Sequence, residues 1–488
     1  MKTRTSGHLL SFYYLRRLEY KNQHSELNML KEDLDLFQEI TQLLLDKEQQ
    51  EPVAPPIQPS ELFETLDIKL SHEPCDQQAF EKALKEVVLN TPRTATNQFF
   101  NQLFGGRKGK AVLGDLLAVM LNNSMYTYKV AGPMVGVEKE IMHQIRDLIG
   151  FPSTSDGTIA PGGSMSNFMA MIMGRDAYNE KIKTDGVHQR LTLYTSRESH
   201  YSIPKNAAFM GIGRNHVRYV DTDDKGRMDP TDLKHKIEED KANGLHPFFI
   251  NITAGTTVLG AFDPIEPIAE IGKANNLWLH VDGAYCGSVI FSEQYKHLVE
   301  GLELVDSFSV NAHKMLSTPL TCSIIMAKDK KYLYDSFSNN AEYLYQTDGD
   351  DYNLGKTSLQ CGRRNDALKF WTLWKAVGTM GLGEMVDQQF HLADVAREYV
   401  RKNEDYTLYS FDESIGICFN YKDIPADVLC SKLYNKAELM VGYGNYEKDQ
   451  FVRLVTINSS ISEEDIIDFF KNLEAFAEEH ITALSTAE

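Results

Sequence analysis

Between residues 190 and 327, six short apolar runs alternate with helix-compatible stretches, and this alternation restricts the possible folds most. The runs are RLTLYT at 190–195, HVRYV at 216–220, PFFINIT at 247–253, WLHV at 278–281, DSFSV at 306–310 and TCSIIMA at 321–327. TDLKHKIEEDKA at 231–242 and PIEPIAEIGKA at 264–274 lie between them with helical spacing. Short buried strands separated by helices predict a layered α/β domain around a mostly parallel sheet.

The flanking regions have different character. Residues 30–50 suit a helix, and the prolines of EPVAPPIQPSE at 51–61 break it into a linker. Helices are predicted over 78–90 and over 133–150, the latter opened by Pro133 and closed by Gly150. The stretch 157–175 is predicted as a glycine-rich turn leading into a methionine-rich helix. Beyond 365 come helix-compatible runs to 404, strands at 406–420 and 450–457, and helices at 424–438 and 462–478. This predicts a small α+β domain. The expected division is 1–90 as a helical, dimer-wrapping segment, 91–370 as the large domain and 371–488 as the small one.

Two of the strand runs carry the chemistry. In NNLWLHVDGAYCG the run ends on Asp282, and in VDSFSVNAHKML Lys314 follows the run closely. Ligands of open α/β sheets collect at the carboxyl ends of strands. An amine and an acid there are what pyridoxal phosphate requires: the amine forms an imine, and the acid keeps the ring nitrogen protonated. Taken alone, Asp282 reads as a turn or cap residue. A lysine in apolar surroundings reverses that preference, because imine formation removes the charge that burial penalises.

APGGSMSNFMAMIMGRDA at 160–177 places Gly162, Gly163 and Ser164 at a helix start, where backbone N–H groups can bind phosphate. A plain tight turn is the alternative, since neither a P-loop ending nor a G-x-G-x-x-G order is present. Met165, Met169, Met171 and Met173 are expected to fill the core. His200, in YTSRESHYS, could cover one face of a flat ring or be a structural histidine. Asn311, His313 and Thr256 are polar residues at strand ends, Thr256 being assigned to the ring-oxygen or phosphate region.

Lys plus Arg total 50 against 69 Asp plus Glu, a formal charge of -19, which argues against nucleic acid or anionic membrane as main partner. Six scattered cysteines lack metal-site spacing, so no metal is expected and the thiols are read as reduced. The basic N-terminus MKTRTSGHLLSFYYLRRLEY lacks a cleavage site, and no run approaches the ~20 apolar residues of a membrane span. A cytoplasmic protein is expected.

PGGSMSN, SHYS, TAGTTVLGAFDPI, HVDGAY, NAHKML and QCGRRNDALKFWTLWKA, in that order, closely resemble the group II pyridoxal phosphate-dependent amino acid decarboxylases. The acidic branch, with glutamate, cysteine sulfinate and aspartate decarboxylases, is the most similar. The resemblance runs from about residue 90 to the C-terminus. It implies the aspartate aminotransferase-like fold type I and an obligate homodimer. It also implies Lys314 as the Schiff-base lysine, Asp282 as partner of the pyridine nitrogen and His200 stacked on the ring. Gln102 in FNQLF would reach the substrate, Arg453 in QFVRLVTIN would hold a substrate carboxylate, and Tyr352 in DYNLGK would return a proton from a mobile loop. TDGDDYNLG independently reads as a loop.

Three departures stand out. Gly283 replaces the family's usual alanine, which would remove a methyl from beside the ring. FGGRKGKAV at 104–112 brings Arg107 and Lys108 towards the expected substrate entrance, and the tyrosine loop is short. In NNSMYTY, Ser124 and Tyr126 stand where glutamate enzymes typically carry Asn and Phe. The extra bulk of Tyr126 favours a shorter acid, although one methylene is worth only about 1–3 kcal/mol. Aspartate (to β-alanine) or cysteine sulfinate (to hypotaurine) is the expected substrate. Glutamate (to γ-aminobutyrate) is the alternative, with an aminotransferase or a non-catalytic scaffold further off.

Overall fold

The computed structural model describes residues 30–338 and 350–485. The basic N-terminal segment, and Thr347–Gly349 of the tyrosine loop, lie outside the described residues. The chain forms two compact units, one running to Thr96 and including Asn435–Ala437, the other holding the rest. In the first, the helix 30–50 and the helix Gln77–Leu89 are joined by an ion pair between Lys85 and Glu39 at 2.7 Å. Asp76 caps the second helix by accepting from the Ala79 amide at 2.9 Å.

The second unit is built on a seven-stranded sheet: β1 (Asp156–Ala160), β2 (Leu191–Ser196), β3 (Val217–Val220), β4 (His246–Thr253), β5 (Trp278–Gly283), β6 (Ser307–Asn311) and β7 (Ser323–Ala327). Their order is β1-β7-β6-β5-β4-β2-β3. β3, β2, β4, β5 and β6 pair in parallel, whereas β7 runs antiparallel to both β6 and β1. β1, β2, β5, β6 and β7 are buried along their whole length, as a sheet covered on both faces requires.

Each of the six predicted strands is present, and the expected α/β architecture holds. The start of the 157–175 stretch, predicted as a turn, instead belongs to the edge strand β1, paired with β7 from Asp156 opposite Ala327. Met169, Met171 and Met173 are buried in the core beneath β2 and β4.

A second sheet contains β8 (Tyr406–Leu408), β9 (Gly416–Tyr421), β10 (Gly442–Tyr446) and β11 (Asp449–Val455), all antiparallel in the order β10-β11-β9-β8. The stretch predicted as one strand over 406–420 is two, and β10 went unpredicted. The helix Ala367–Arg401 packs against elements of both sheets' surroundings and breaks at Gly378, where φ is 71°. The expected boundary at 370/371 falls in its first turns.

Candidate active site

β5 and β6 are parallel neighbours with Asp282 opposite Ser309. They bring Asp282, near the end of β5, and Lys314, just past the end of β6, to one cleft of about 640 Å3. Gly163, Ser164, His200, Asn311 and His313 line the same cleft. Seven sequence-predicted residues therefore converge there.

The cleft floor is set by helix–sheet contact. The helix Gly163–Tyr178 starts at Gly162 (φ 108°) with no side-chain cap, so its first turn faces the cleft without a capping group of its own. A Cβ on Gly163 would lie 2.9 Å from Nδ2 of Asn311 and 3.0 Å from Cβ of Ala284. Only glycine permits that approach. Asn311 is itself held by the Ser323 hydroxyl.

Lys314 is partly buried, with Nζ 5.8 Å from the centre of the Tyr285 ring. Burial pulls its pKa below the usual ammonium range and the charge of Arg453 adds to this, whereas Asp282 and Cys286 oppose it. Nδ1 of His200 accepts from the Ser202 amide at 3.2 Å, leaving Nε2 to carry the proton of the neutral ring. Burial lowers the His200 pKa, with Asp282 acting in the opposite direction. His313 is pushed down to about 4, chiefly by burial, and its Nδ1 lies 2.9 Å from the Cys322 amide. Asp282 accepts from Nδ2 of Asn167 at 2.6 Å and from the Ala284 amide at 3.0 Å.

The other candidates lie elsewhere. Thr256 is fully buried, its hydroxyl accepting from the Ala261 amide at 3.0 Å, and its neighbours Gly255 and Thr257 line the cleft instead. Gln102 is exposed and outside the lining. Arg453, on β11, donates to the carbonyls of Thr257 at 3.1 Å and Asn101 at 2.8 Å, just behind the cleft wall, and its buried Nε has no partner among the described residues. Tyr126 and Tyr352 belong to a separate cluster. The Tyr126 ring packs on Gly355, the Tyr128 amide donates to Asn353, and the Tyr128 and Tyr352 rings meet edge-on at 5.8 Å.

Two departures are corrected by the geometry. The methyl absent at Gly283 would point not at the cleft but at Phe308 (2.6 Å) and the Ser309 carbonyl (2.7 Å), within the sheet's core. Lys108 lines a different cavity with Gln389 and Asn458, not the Lys314 cleft. Asn167, Tyr285 and Thr257 line the Lys314 cleft and were not predicted. Helical spacing could have flagged Asn167, one turn after Gly163.

The model of the pyridoxal-dependent decarboxylase conserved domain matches residues 59–422. The chain belongs to this family. It is 37% identical over 439 residues to cysteine sulfinic acid decarboxylase of Homo sapiens, covering 85% of this chain and 89% of that protein. It is 36% identical over 432 residues to the acidic amino acid decarboxylase GADL1 of Bos taurus, covering 84% and 83% respectively. The crystal structure of mouse CSAD superposes with a TM-score of 0.86 at 34% identity, covering 90% of this chain and 98% of that one. As a pyridoxal-dependent decarboxylase the chain is an amino acid carboxy-lyase with fold type I and pyridoxal phosphate as cofactor. No helix among the described residues is long and apolar enough to cross a membrane.

Proposed function

We propose that this decarboxylase removes the α-carboxylate of a small acidic L-amino acid, aspartate (to β-alanine) or cysteine sulfinate (to hypotaurine). Glutamate, giving γ-aminobutyrate, is the second reading. The relatives named for cysteine sulfinic acid and for acidic amino acids support the acidic class. Within this chain the reading rests on Arg453, a guanidinium fixed by two backbone carbonyls behind the cleft, with one N–H lacking a partner among the described residues. Such a group suits a substrate carboxylate.

The lining fits pyridoxal phosphate. Lys314 is the covalent tether, and burial makes its neutral, nucleophilic form more accessible. The uncapped start of Gly163–Tyr178, with Ser164, takes the phosphate. When bound, the cofactor supplies a ring that accepts the electron pair left by the departing carboxylate. Asp282, held by two donors, would keep a proton on the ring nitrogen. His200 would cover one face of the ring, while Asn311 and His313 complete the wall. Tyr352 returns a proton to the substrate's Cα, and exclusion of water limits its delivery elsewhere.

Tyr126 and Tyr352 are outside the cleft of their own chain, and Tyr128, Val130 and Tyr352 are exposed. This supports a homodimer in which a second copy brings that cluster to the cleft. The bulk of Tyr126 then favours the shorter acid. The scattered spacing of the six cysteines supports reduced thiols and a cytoplasmic location. Product analysis with aspartate, cysteine sulfinate and glutamate in competition tests the substrate. β-Alanine or hypotaurine is expected to dominate, and dominant γ-aminobutyrate would select the second reading.

A further inference from the structure

Asp282 terminates a buried chain of hydrogen bonds of which the reaction above uses only the last link, from Asn167. An ionised carboxylate only accepts, so Asn167 must turn its amide nitrogen to Asp282, at 2.6 Å. Its carbonyl oxygen then faces Nε2 of His280 at 3.1 Å. A carbonyl also only accepts, so Nε2 carries the His280 proton. Nδ1 is therefore the acceptor, 2.9 Å from the Ser307 hydroxyl, whose oxygen accepts in turn from Nε1 of Trp278 at 2.9 Å. Every donor points the same way, from Trp278 towards Asp282, and all five residues are buried. Periodicity explains the meeting: His280 and Asp282 share one face of β5, and Asn167 comes from the helix packed over it.

We infer that Asn167 and His280 are positioning residues that fix the Asp282 carboxylate in its direction towards the cofactor's ring nitrogen. The inference rests on the reading of Asp282 given above. Ser202 also accepts from Nδ2 of Asn167, at 3.0 Å, but it cannot distinguish the amide's oxygen from its nitrogen, because a hydroxyl can donate or accept. His280 Nε2–H makes that distinction. Burial holds the His280 ring neutral by pushing its pKa down to about 4, which preserves Nδ1 as the acceptor for Ser307.

A double-mutant cycle on the holoenzyme, read by the Kd for pyridoxal phosphate and by the pH dependence of its visible absorption band, tests this. His280→Phe keeps an aromatic ring near Phe249, whose centroid lies 6.0 Å away. It is expected to raise Kd about tenfold and to shift the band's pH dependence. In an Asp282→Asn background the same change is expected to move Kd by about twofold or less. Ser307→Ala, a smaller deletion, gives the same pattern at about threefold and serves if His280→Phe does not fold. Equal losses in both backgrounds, or no loss in either, would overturn the inference. If Asp282→Asn alone leaves Kd and the band unchanged, the reading of Asp282 falls first and the positioning role with it.

Discussion

Tyr352 is half-exposed, edge-on to Tyr128 and outside its own chain's cleft, and the reading above gives it the proton returned to Cα. Tyr352→Phe is expected to lower product formation by about 10²–10⁴-fold, the usual worth of a positioned acid, with cofactor content unchanged. Turnover equal to the parent at equal cofactor loading would assign the proton to another group. Gly283 makes a different demand: its missing methyl would strike Phe308 and a backbone carbonyl. Gly283→Ala is therefore expected to destabilise the fold by about 1–3 kcal/mol, seen as a lower urea midpoint. A midpoint at the parent's value would show that Phe308 yields freely. Asp282 and Lys314 were legible because strand ends follow from local pattern alone. Asn167 and His280 were not, since their contact joins a helix period to a strand period across more than a hundred residues.

At the scale of elements, the helix Gly109–Leu121 is the most unusual. Its small residues Ala111, Gly114 and Ala118 form the buried side, and a Cβ on Gly114 would meet Thr372 and the Leu368 carbonyl. Its bulky residues, including Leu113, Leu117, Met120 and Leu121, are exposed. A helix apolar on both sides calls for a second neighbour. If the proposed homodimer uses this face, Leu117→Glu is expected to shift sedimentation from dimer towards monomer, and an unaltered dimer would move the interface elsewhere. Strands β2 to β7 were legible from their apolar runs. β1 and β10 were not, because edge strands of Gly, Asp, Thr and Asn carry little apolar periodicity. The 406–420 error has a related cause: the turn between β8 and β9 lacks a strong breaker pair.

For the whole molecule, burial couples stability to acidity. His280 and His313 are held neutral down to about 4, whereas unfolded imidazoles titrate near 6.5. Between those values the unfolded chain binds more protons, so stability is lost as pH falls through the window, by about 3 kcal/mol per histidine. Asp263, pushed up to about 7 by burial, works in the opposite sense, contributing most at low pH and fading as pH rises to 7. Asp306 and Glu198, also raised by burial, side with Asp263. His200, lowered by burial, and the carboxylates of Asp223 and Asp232, held against burial below their usual range by hydrogen bonds, side with the two imidazoles and leave acidification destabilising. The urea midpoint is expected to drop between pH 7 and pH ~4.5, and a midpoint that rises instead would show these rings to be charged in the fold. The parallel pairing of β5 with β6 has a longer reach. The acid stands on a rung opposite Ser309, on a strand about 4.8 Å from the one that leads to the amine, and a slip of one residue would turn Asp282 to the far face. Tyr126 stands on no rung. On the proposed reading of Tyr126, selection can retune which acid is accepted by reshaping that loop, while the pairing that carries Asp282 stays locked to the backbone and is inherited unchanged.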